Sequence, residues 1–356
     1  MLVAVLLIAA MGLVNLYSAT YAGGASTTTV FIRQLFFFLA GLSFIMIIHL
    51  FDYRLLLTWN YILYGIAVCL LLASLLLGSN IAGTQRWINL GFFRLQPSEP
   101  AKLMLVISLA SYYYRKDTGR GFTIGQLLIP MALTGLFFIL VLMQPDLGTA
   151  LMFAGIFISM TLFVKLKWST IGIIFGGCSA VIPIGWQFFL KPYQKQRIMT
   201  FLSPESDPTN SGYHIMQSKI AVGSGLKFGK GYLKGTQGHL HFLPERHTDF
   251  AFSVWAEEWG FAGSLFFLAV YFFMILWGLN VCLASRDKFG VLLAFGIVSL
   301  IFWQAIINLL MVMGFLPVVG IPLPLFSYGG SSLMTTLIGI GLLMNIRMRR
   351  NQVRKN

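Results

Sequence analysis

The chain has 356 residues, of which 57% are apolar and only 10% are charged, and its mean hydropathy is +0.80. In soluble domains about a quarter of all residues are charged, so this composition excludes an ordinary soluble protein and indicates a membrane protein. The net charge of +14 comes from 25 Lys and Arg against 11 Asp and Glu, and it reflects a shortage of acids more than an excess of bases. We therefore expect contacts with membrane lipids and no nucleic-acid partner.

Hydropathy predicts an all-α fold with ten membrane-spanning helices, because a helix needs about 20 apolar residues to cross the hydrocarbon core of a bilayer. The first apolar run has no preceding basic region and no clear cleavage site of a signal peptide, so we expect it to be an uncleaved first transmembrane helix. The predicted spans cover residues 1–20, 30–49, 57–77, 98–114, 125–143, 147–164, 168–190, 250–283, 289–315 and 328–346.

The basic residues predict that both termini are cytoplasmic. The C-terminal tail and the short loops on its side are rich in Lys and Arg, whereas the short loops on the other side have only Arg33, Arg86 and Arg94 in or beside them. Bases concentrate in the short cytoplasmic loops of multi-pass proteins, so the opposite side is the outer one.

We expect one transmembrane domain over residues 1–356, with a single long outer loop at residues 191–248. Connections longer than about 12–15 residues in a compact fold are usually functional or disordered. Ile215, Met216 and Ile220 lie among polar residues in this loop and predict a short amphipathic helix on the outer leaflet. The active surface is therefore expected on the outer face.

Charged residues near membrane spans need a reason, since a charge at the centre of a span costs about 2.5–3.5 kcal/mol. Glu99 and Lys102 are spaced i, i+3 at the outer end of the fourth span. This spacing predicts either a local ion pair or a lysine that meets an anionic ligand in a wet cavity. Asp146 occupies the tight turn between the fifth and sixth spans, where it either caps a helix or belongs to a recessed outer depression.

Residues 317–332 are apolar enough to lie at membrane depth, yet their three prolines and three glycines prevent a continuous helix. Irregular backbone persists in a bilayer only where it is buried in protein or lines a water-filled cavity. We expect this tract to wall a groove. Gly329, Gly330 and Ser331, at the start of the last helix, are expected to offer N–H groups to an anion.

The end of the long loop concentrates ionisable residues, among them Arg246, His247 and Asp249. A carboxylate beside an apolar wall has a raised pKa that suits a general base, although Asp249 could instead cap the eighth span. No cofactor is firmly indicated. A divalent metal ion remains an option, with ligands from His239, His241, His247 and Asp249.

A glycine-rich segment, residues 223–231, precedes this cluster. Ser224 and Gly231 stand where a P-loop requires Gly and Ser or Thr, so the segment is not a nucleotide site. A flexible basic loop that wraps a pyrophosphate remains open.

Four stretches together resemble motifs of the SEDS family (shape, elongation, division and sporulation), multi-pass proteins that polymerise the glycan strands of peptidoglycan. They are residues 96–99 with Lys102, 144–148, 244–249 with 256–258, and 317–331. Four motifs in order along ten predicted spans are specific, and the resemblance extends over essentially the whole chain. Residues 235–237 and 242–247 are more similar to the RodA-like elongation branch than to the FtsW division branch.

The resemblance implies that the substrate is lipid II, a disaccharide-pentapeptide on undecaprenyl pyrophosphate, at the outer face of a bacterial inner membrane. It implies inverting glycosyl transfer with Asp249 as the catalytic residue, and general base is the natural role because the attacking hydroxyl must lose a proton. It also implies a partner, a class B penicillin-binding protein that crosslinks the strand. The expected substrate-binding residues are Glu99, Lys102, Asp146, Arg197, Lys219, Arg246, His247, Ser327, Gly329, Gly330 and Ser331.

Two other classes of function compete with the enzyme. Charged residues near the spans and a broken helix junction also fit a flippase that moves the lipid-linked precursor across the bilayer. A scaffold that only recruits a transpeptidase is the third class. The concentration of charge at the outer mouth favours chemistry at the surface over a path through the bilayer.

Overall fold

Long apolar helices make up most of the protein, whose structure is a computed structural model. The described residues are 1–21, 25–81, 84–89, 91, 93–116, 119, 121–167, 170, 172, 195, 199–201, 211–239 and 245–350. The helices in these ranges are α1 (Leu2–Thr20), α2 (Ala25–Leu50), α3 (Leu55–Leu77), α4 (Ser98–Lys116), α5 (Ile124–Met143), α6 (Leu147–Phe163), α7 (Ser211–Ser224), α8 (Thr236–His239), α9 (Ala251–Ala284), α10 (Lys288–Val312) and α11 (Gly330–Met348).

Seven helices in the described part of the chain are long and apolar enough to cross a membrane, so the protein is a multi-pass membrane protein, as predicted. Helix α4 carries Glu99 and Lys102 and α6 is short, yet both lie where a span was predicted. Almost all of the predicted seventh span, residues 168–190, lies outside the described residues, as does much of residues 191–248. The count of ten spans and the bounds of the loop therefore remain predictions.

Helices α4, α10 and α11 form the centre of the bundle, whereas α2 and α3 bury few of their residues. Close approach of helices in this centre depends on small residues, as is usual in membrane bundles. A Cβ at Gly296 of α10 would lie only 2.5 Å from Val106 Cγ1 of α4. This packing places the polar side chains of α10 in the interior of the bundle.

Met1 and the end of α11 lie on one face of the bundle, which we call the terminal face. Arg349, at the end of α11, forms an ion pair with Asp52 in the loop between α2 and α3. Burial, together with the nearby charge of Arg347, lowers the pKa of the Met1 ammonium. The opposite face, which we call the distal face, holds the start of α4, the start of α9 and the end of α10.

A small three-stranded antiparallel sheet between α3 and α4, on the distal face, was not predicted. Its strands are β1 (Ser79–Ile81), β2 (Thr84–Asn89) and β3 (Arg94–Leu95), in the order β1-β2-β3. Asn89 pairs with Arg94, and the main chain of β3 accepts a hydrogen bond from Ser331 Oγ at 3.4 Å. The sheet thereby connects the loop after α3 to the start of α11.

The tract at residues 317–332 is irregular up to Gly329, as its prolines and glycines predicted, and its last three residues begin α11; the tract is buried in protein. The side chains of Ile321, Leu323 and Phe326 are almost fully enclosed. Gly320 has a left-handed backbone, with φ of 72°. Because side chains of neighbouring helices bind its carbonyl groups, the tract satisfies the requirement that polar backbone in a bilayer be hydrogen-bonded within the protein.

Helix α9 is interrupted at Gly260, whose backbone is left-handed (φ 64°). The glycine-rich segment fills the interruption. Two of its N–H groups donate to the carbonyls of Glu257 and Glu258, each at 3.0 Å, and N–H groups beyond the break donate back to its carbonyls. The segment therefore repairs the hydrogen bonding of a broken span.

Helix α7 forms where an amphipathic helix was predicted. Ile215 and Ser218 are buried, and Ser218 Oγ donates to Val312 O of α10 at 2.6 Å, whereas Met216 and Ile220 are exposed. The inner side of α7 thus packs on protein, so the helix does not rest on lipid alone.

The docking of the glycine-rich segment predicts a graded effect of alanine substitutions. Gly229 has φ of 80°, and a Cβ there would collide with Glu258 O. Gly229→Ala is expected to lower the apparent melting temperature of the purified protein most, since a left-handed backbone costs a non-glycine residue about 1–3 kcal/mol and the collision adds to that cost.

Two matched variants separate the causes. Gly231 has φ of 99° and would meet nothing closer than 3.4 Å, so Gly231→Ala should have an intermediate effect. Gly223 would meet no atom within 4 Å, so Gly223→Ala should have the smallest. Equal melting temperatures for the three variants would contradict the docking.

Candidate active site

Lys102 lies inside the protein at the distal end of α4, with 1% of its surface exposed. Its Nζ donates to Glu99 Oε1 at 2.9 Å and to Gln304 Oε1 of α10 at 3.3 Å. Glu99 is buried as well. Of the two alternatives from the sequence, the ion pair is present, and in this conformation the ammonium is closed to solvent.

Two buried amides of α10, Gln304 and Asn308, connect the parts of the site, and the sequence analysis missed both. Gln304 Nε2 donates to Ser332 Oγ at 2.8 Å and to Pro322 O at 3.2 Å, while its Oε1 accepts from Lys102. The signal was available in the sequence: amides at i and i+4 in a long apolar span lie on one face of a helix. Such a pair at membrane depth needs polar partners.

Asp249 lies in the turn at residues 245–250, directly before α9, and its side chain is half-buried. Its carbonyl oxygen accepts a hydrogen bond from Asn308 Nδ2 at 2.8 Å, and the same amide donates to Ile321 O at 2.7 Å. A Cβ at Gly320 would lie 3.5 Å from Asp249 Oδ2. The structure therefore brings Asp249 together with α10 and with the tract at residues 317–332.

The alternative role of Asp249, a cap of the eighth span, does not match the helix start. The N-cap position of α9 is Phe250, which has no side-chain capping bond. Thr248 Oγ1, in the same turn, donates to Glu245 Oε2 at 2.8 Å. The turn is thus stabilised by a contact between its own residues.

Arg246 and His247 belong to the same turn. His247 O accepts from Tyr328 N at 2.9 Å, and the two rings lie 5.9 Å apart, so the turn is fixed to the tract. Burial lowers the pKa of His247; Glu245 acts in the opposite direction and Arg246 lowers it further. Burial also lowers the pKa of Arg246, which is almost fully enclosed. This environment favours the neutral form of the His247 imidazole.

Ser327, Gly329, Gly330 and Ser331 make structural contacts. Gly329 N donates to Gln34 Oε1 at 3.3 Å, so this N–H is not free for an anion, contrary to expectation. Ser327 Oγ accepts from Leu323 N at 3.1 Å, and Ser331 Oγ accepts from Gln96 N at 3.0 Å. A Cβ at Gly330 would lie 2.6 Å from a ring carbon of Phe37 on α2, which shows how closely α11 starts against α2.

Asp146 is buried and caps α6. Its Oδ1 accepts from Thr149 N at 3.1 Å, and its Oδ2 accepts from Thr149 Oγ1 at 2.9 Å. Arg86 of β2 lies 3.3 Å from Oδ2 and donates to Pro145 O. The capping alternative is thus present, and the carboxylate also binds the sheet to the turn between α5 and α6.

Lys219 extends from α7 across the end of α10, and a Cβ added at Gly314 would lie 2.9 Å from the Lys219 Nζ. A cation at this position is favoured by the partial negative charge of a helix C-terminus. Arg197, the remaining predicted base, lies outside the described residues. Lys219 and Asp249 therefore lie at the same end of α10.

Glu257 and Glu258 are fully buried in the short part of α9 before Gly260, and the sequence analysis assigned them no role. Glu257 Oε1 accepts from Lys230 Nζ at 2.6 Å and from Thr236 N at 2.8 Å. Glu258 Oε1 accepts from Ser18 Oγ of α1. These carboxylates attach residues 230–237 and α1 to the helix segment that follows Asp249.

The metal option has no geometric support among the described residues, which contain no group of three or more His, Cys, Asp or Glu side chains able to hold an ion. His241, one of the possible ligands, lies outside them. The described site instead offers a half-buried carboxylate, enclosed cations and an apolar tract, which suit proton transfer and the binding of an anionic, lipid-linked substrate.

The contacts of Gln304 predict that Gln304→Leu destabilises the protein and weakens its activity. The change leaves the buried Lys102 ammonium with one fewer acceptor and Ser332 without its partner, and unsatisfied buried groups cost about 1–3 kcal/mol each. Thermal unfolding should show a lower melting temperature. Phe302→Leu, at an exposed apolar position of the same helix, is the control and should unfold like the unaltered protein; equal effects of the two changes would contradict this role of Gln304.

Comparisons with known proteins find relatives that match most of the chain. The family model of the FtsW, RodA and SpoVE cell cycle proteins matches residues 1–352. Peptidoglycan glycosyltransferase MrdB of Escherichia coli (strain K12) is 44% identical over 308 residues, which cover 84% of this chain and 80% of that protein. Peptidoglycan glycosyltransferase RodA of Treponema pallidum (strain Nichols) is 31% identical, with coverage of 98% and 97%.

Solved structures are similar over nearly the whole chain. A structure that concerns the coordination of polymerization and crosslinking by a peptidoglycan synthase complex matches with a TM-score of 0.83 and 32% identity, covering 99% of this chain and 98% of that one. The crystal structure of the Rod shape determining protein RodA of Thermus thermophilus matches with a TM-score of 0.72 and 29% identity, covering 99% and 97%. The chain therefore belongs to the FtsW, RodA and SpoVE family, as the resemblance of its four motifs predicted.

Proposed function

We propose that this protein is a peptidoglycan glycosyltransferase that polymerises lipid II into glycan strands during cell elongation. Its relatives MrdB and RodA carry that enzyme name, which supports the proposal. In the reaction, the 4-hydroxyl of an acceptor sugar attacks the anomeric carbon of the donor, and the bond from that carbon to undecaprenyl pyrophosphate breaks. The hydroxyl proton needs an acceptor as the new bond forms.

The observation that carries the proposal is the position of Asp249. Its carboxylate is half-buried beside Gly320 of the apolar tract, and its main chain is held by Asn308 of α10. A group whose backbone is fixed by a buried hydrogen bond can hold its side chain in one direction. We assign Asp249 as the general base that accepts the hydroxyl proton.

The leaving pyrophosphate is already anionic, so it needs positive charge rather than a proton. Arg246 belongs to the same turn as Asp249, and Lys219 reaches the same end of α10. We assign both to the pyrophosphate, with Arg197 assigned from the sequence alone. Lys102 is enclosed by Glu99 and Gln304, and in this conformation its charge acts on the site at longer range.

The same proposal sets the orientation and the partner. The terminal face carries most of the bases in short loops, so we assign it to the cytoplasm and the distal face to the outside of the inner membrane. The undecaprenyl tail would then lie along residues 317–332, in hydrocarbon, with the sugars in water. A class B penicillin-binding protein is the proposed partner, which the match to a synthase complex supports.

Removal of the proposed base gives the direct test. Asp249→Asn should reduce the polymerisation of lipid II by a purified complex of this protein with its transpeptidase by about 10²–10⁴-fold, the usual contribution of general base catalysis. Glycan strands separated by gel electrophoresis provide the measurement. Asp52→Asn, a change of a carboxylate on the terminal face, is the matched control and should keep the glycan ladder.

Two results would contradict the proposal. Polymerisation at the wild-type rate by the Asp249→Asn protein would contradict the assignment of Asp249 as the general base. A loss of activity supports the assignment only if both proteins show the same melting temperature. Translocation of lipid II across liposomes by a protein that forms no glycan would support the flippase instead.

A further inference from the structure

A slot of about 350 Å³ lies between α3, α4 and α5 at the terminal face, far from Asp249. Helix α3 contributes Asn60, Tyr61 and Tyr64 to its lining, and α5 contributes Ile129 and Leu133. The slot and the candidate active site lie at opposite ends of α4, since Arg115 at the slot is about 24 Å along the helix from Glu99. The slot is therefore a separate feature of the fold.

The slot opens sideways into the bilayer. Tyr61 is 70% exposed and Ile129 is 52% exposed, and both stand on the outer surface of the helix bundle. In a membrane this surface contacts lipid, so the nearest available occupant is a lipid of the leaflet at the terminal face.

The rim of the slot is basic. Arg115 stacks on Tyr61, with its guanidinium carbon 5.3 Å from the ring centroid, and donates to Tyr61 OH at 3.2 Å and to Leu57 O at 2.6 Å. These contacts hold the guanidinium in place, and a guanidinium has five N–H donors, so it can also bind a phosphate. Lys116 adds a second cation, and none of the described lining residues is acidic.

The length of the slot matches one leaflet. Its floor includes the hydrogen bond from Asn60 Nδ2 to Ser111 Oγ at 3.2 Å, and the lining reaches Ser108. Ser108 lies about 12 Å along α4 from Lys116. One leaflet contributes about 15 Å of the hydrocarbon core, so a single acyl chain fits the slot while its head group stays at the rim.

We propose that this slot binds an anionic phospholipid, with the phosphate at Arg115 and Lys116 and an acyl chain between Tyr61 and Ile129, above the hydrogen bond from Tyr64 OH to Leu133 O at 2.8 Å that joins α3 to α5. Basic pockets between spans are the usual sites of anionic head groups on the cytoplasmic side of membrane proteins. A zwitterionic lipid has no net charge to match the two cations of the rim. The site is independent of the glycosyl transfer proposed above.

The first test measures head-group selection. The full-length protein is titrated with phosphatidylglycerol or phosphatidylcholine and examined by native mass spectrometry. Phosphatidylglycerol should bind in preference, and replacing Arg115 and Lys116 by Gln should reduce its binding about fivefold for each base removed. Lys167→Gln with Arg350→Gln removes two exposed bases elsewhere on the terminal face and should leave the preference intact.

The second test fills the slot without changing its charge. Ile129→Trp should abolish the phosphatidylglycerol adduct, whereas Leu128→Trp, at a neighbouring exposed position that does not line the slot, should keep it. Melting temperatures confirm that each variant is folded. Equal binding of the two lipids, unchanged binding in both the charge and the slot variants, or displacement of the lipid by glycerol phosphate alone would overturn the proposal.

Discussion

Main-chain N–H and C=O groups inside a bilayer have no water to bind, so they must form hydrogen bonds within the protein. This requirement determines which elements contact one another in the distal half of the protein. The tract at residues 317–332 is not helical before Gly330, so side chains from other elements bind its polar groups. Gln34 of α2 and two amides of α10, Gln304 and Asn308, donate to its carbonyls. Because the tract lacks helical hydrogen bonds, its carbonyl groups are bound by side chains from distant parts of the chain.

These contacts place the acidic and basic groups of the site in one framework. Gln304 binds both the tract and Lys102, and Asn308 binds both the tract and the main chain of Asp249. The two amides are one helical turn apart, so α10 fixes the ion pair of α4 and the turn before α9 relative to each other. A shift of α10 along its axis would therefore move both groups together.

The sequence was sufficient for features that depend on local patterns. Hydropathy located the long apolar helices, proline and glycine predicted the irregular tract, and the i, i+3 spacing predicted the pair of Glu99 and Lys102. Pairings between distant elements were out of reach, because no periodicity reports which helix an amide will contact. The same reason explains why the contact of Gly329 with Gln34 was missed. The sheet after α3 was missed because its strands are short.

The broken helix α9 shows how the fold can hold the proposed proton acceptor at a membrane surface. Asp249 lies directly before residues 251–259, a helix segment too short to be stable alone. Its far end is held where the glycine-rich segment bonds to α9 across the break, and its buried Glu257 is bound by Lys230 and Thr236. Its near end is held by Asn308 and by the contact of His247 with Tyr328. Since both ends are fixed by elements outside the segment, the direction of the Asp249 side chain depends on the whole distal half of the protein and not on the turn alone.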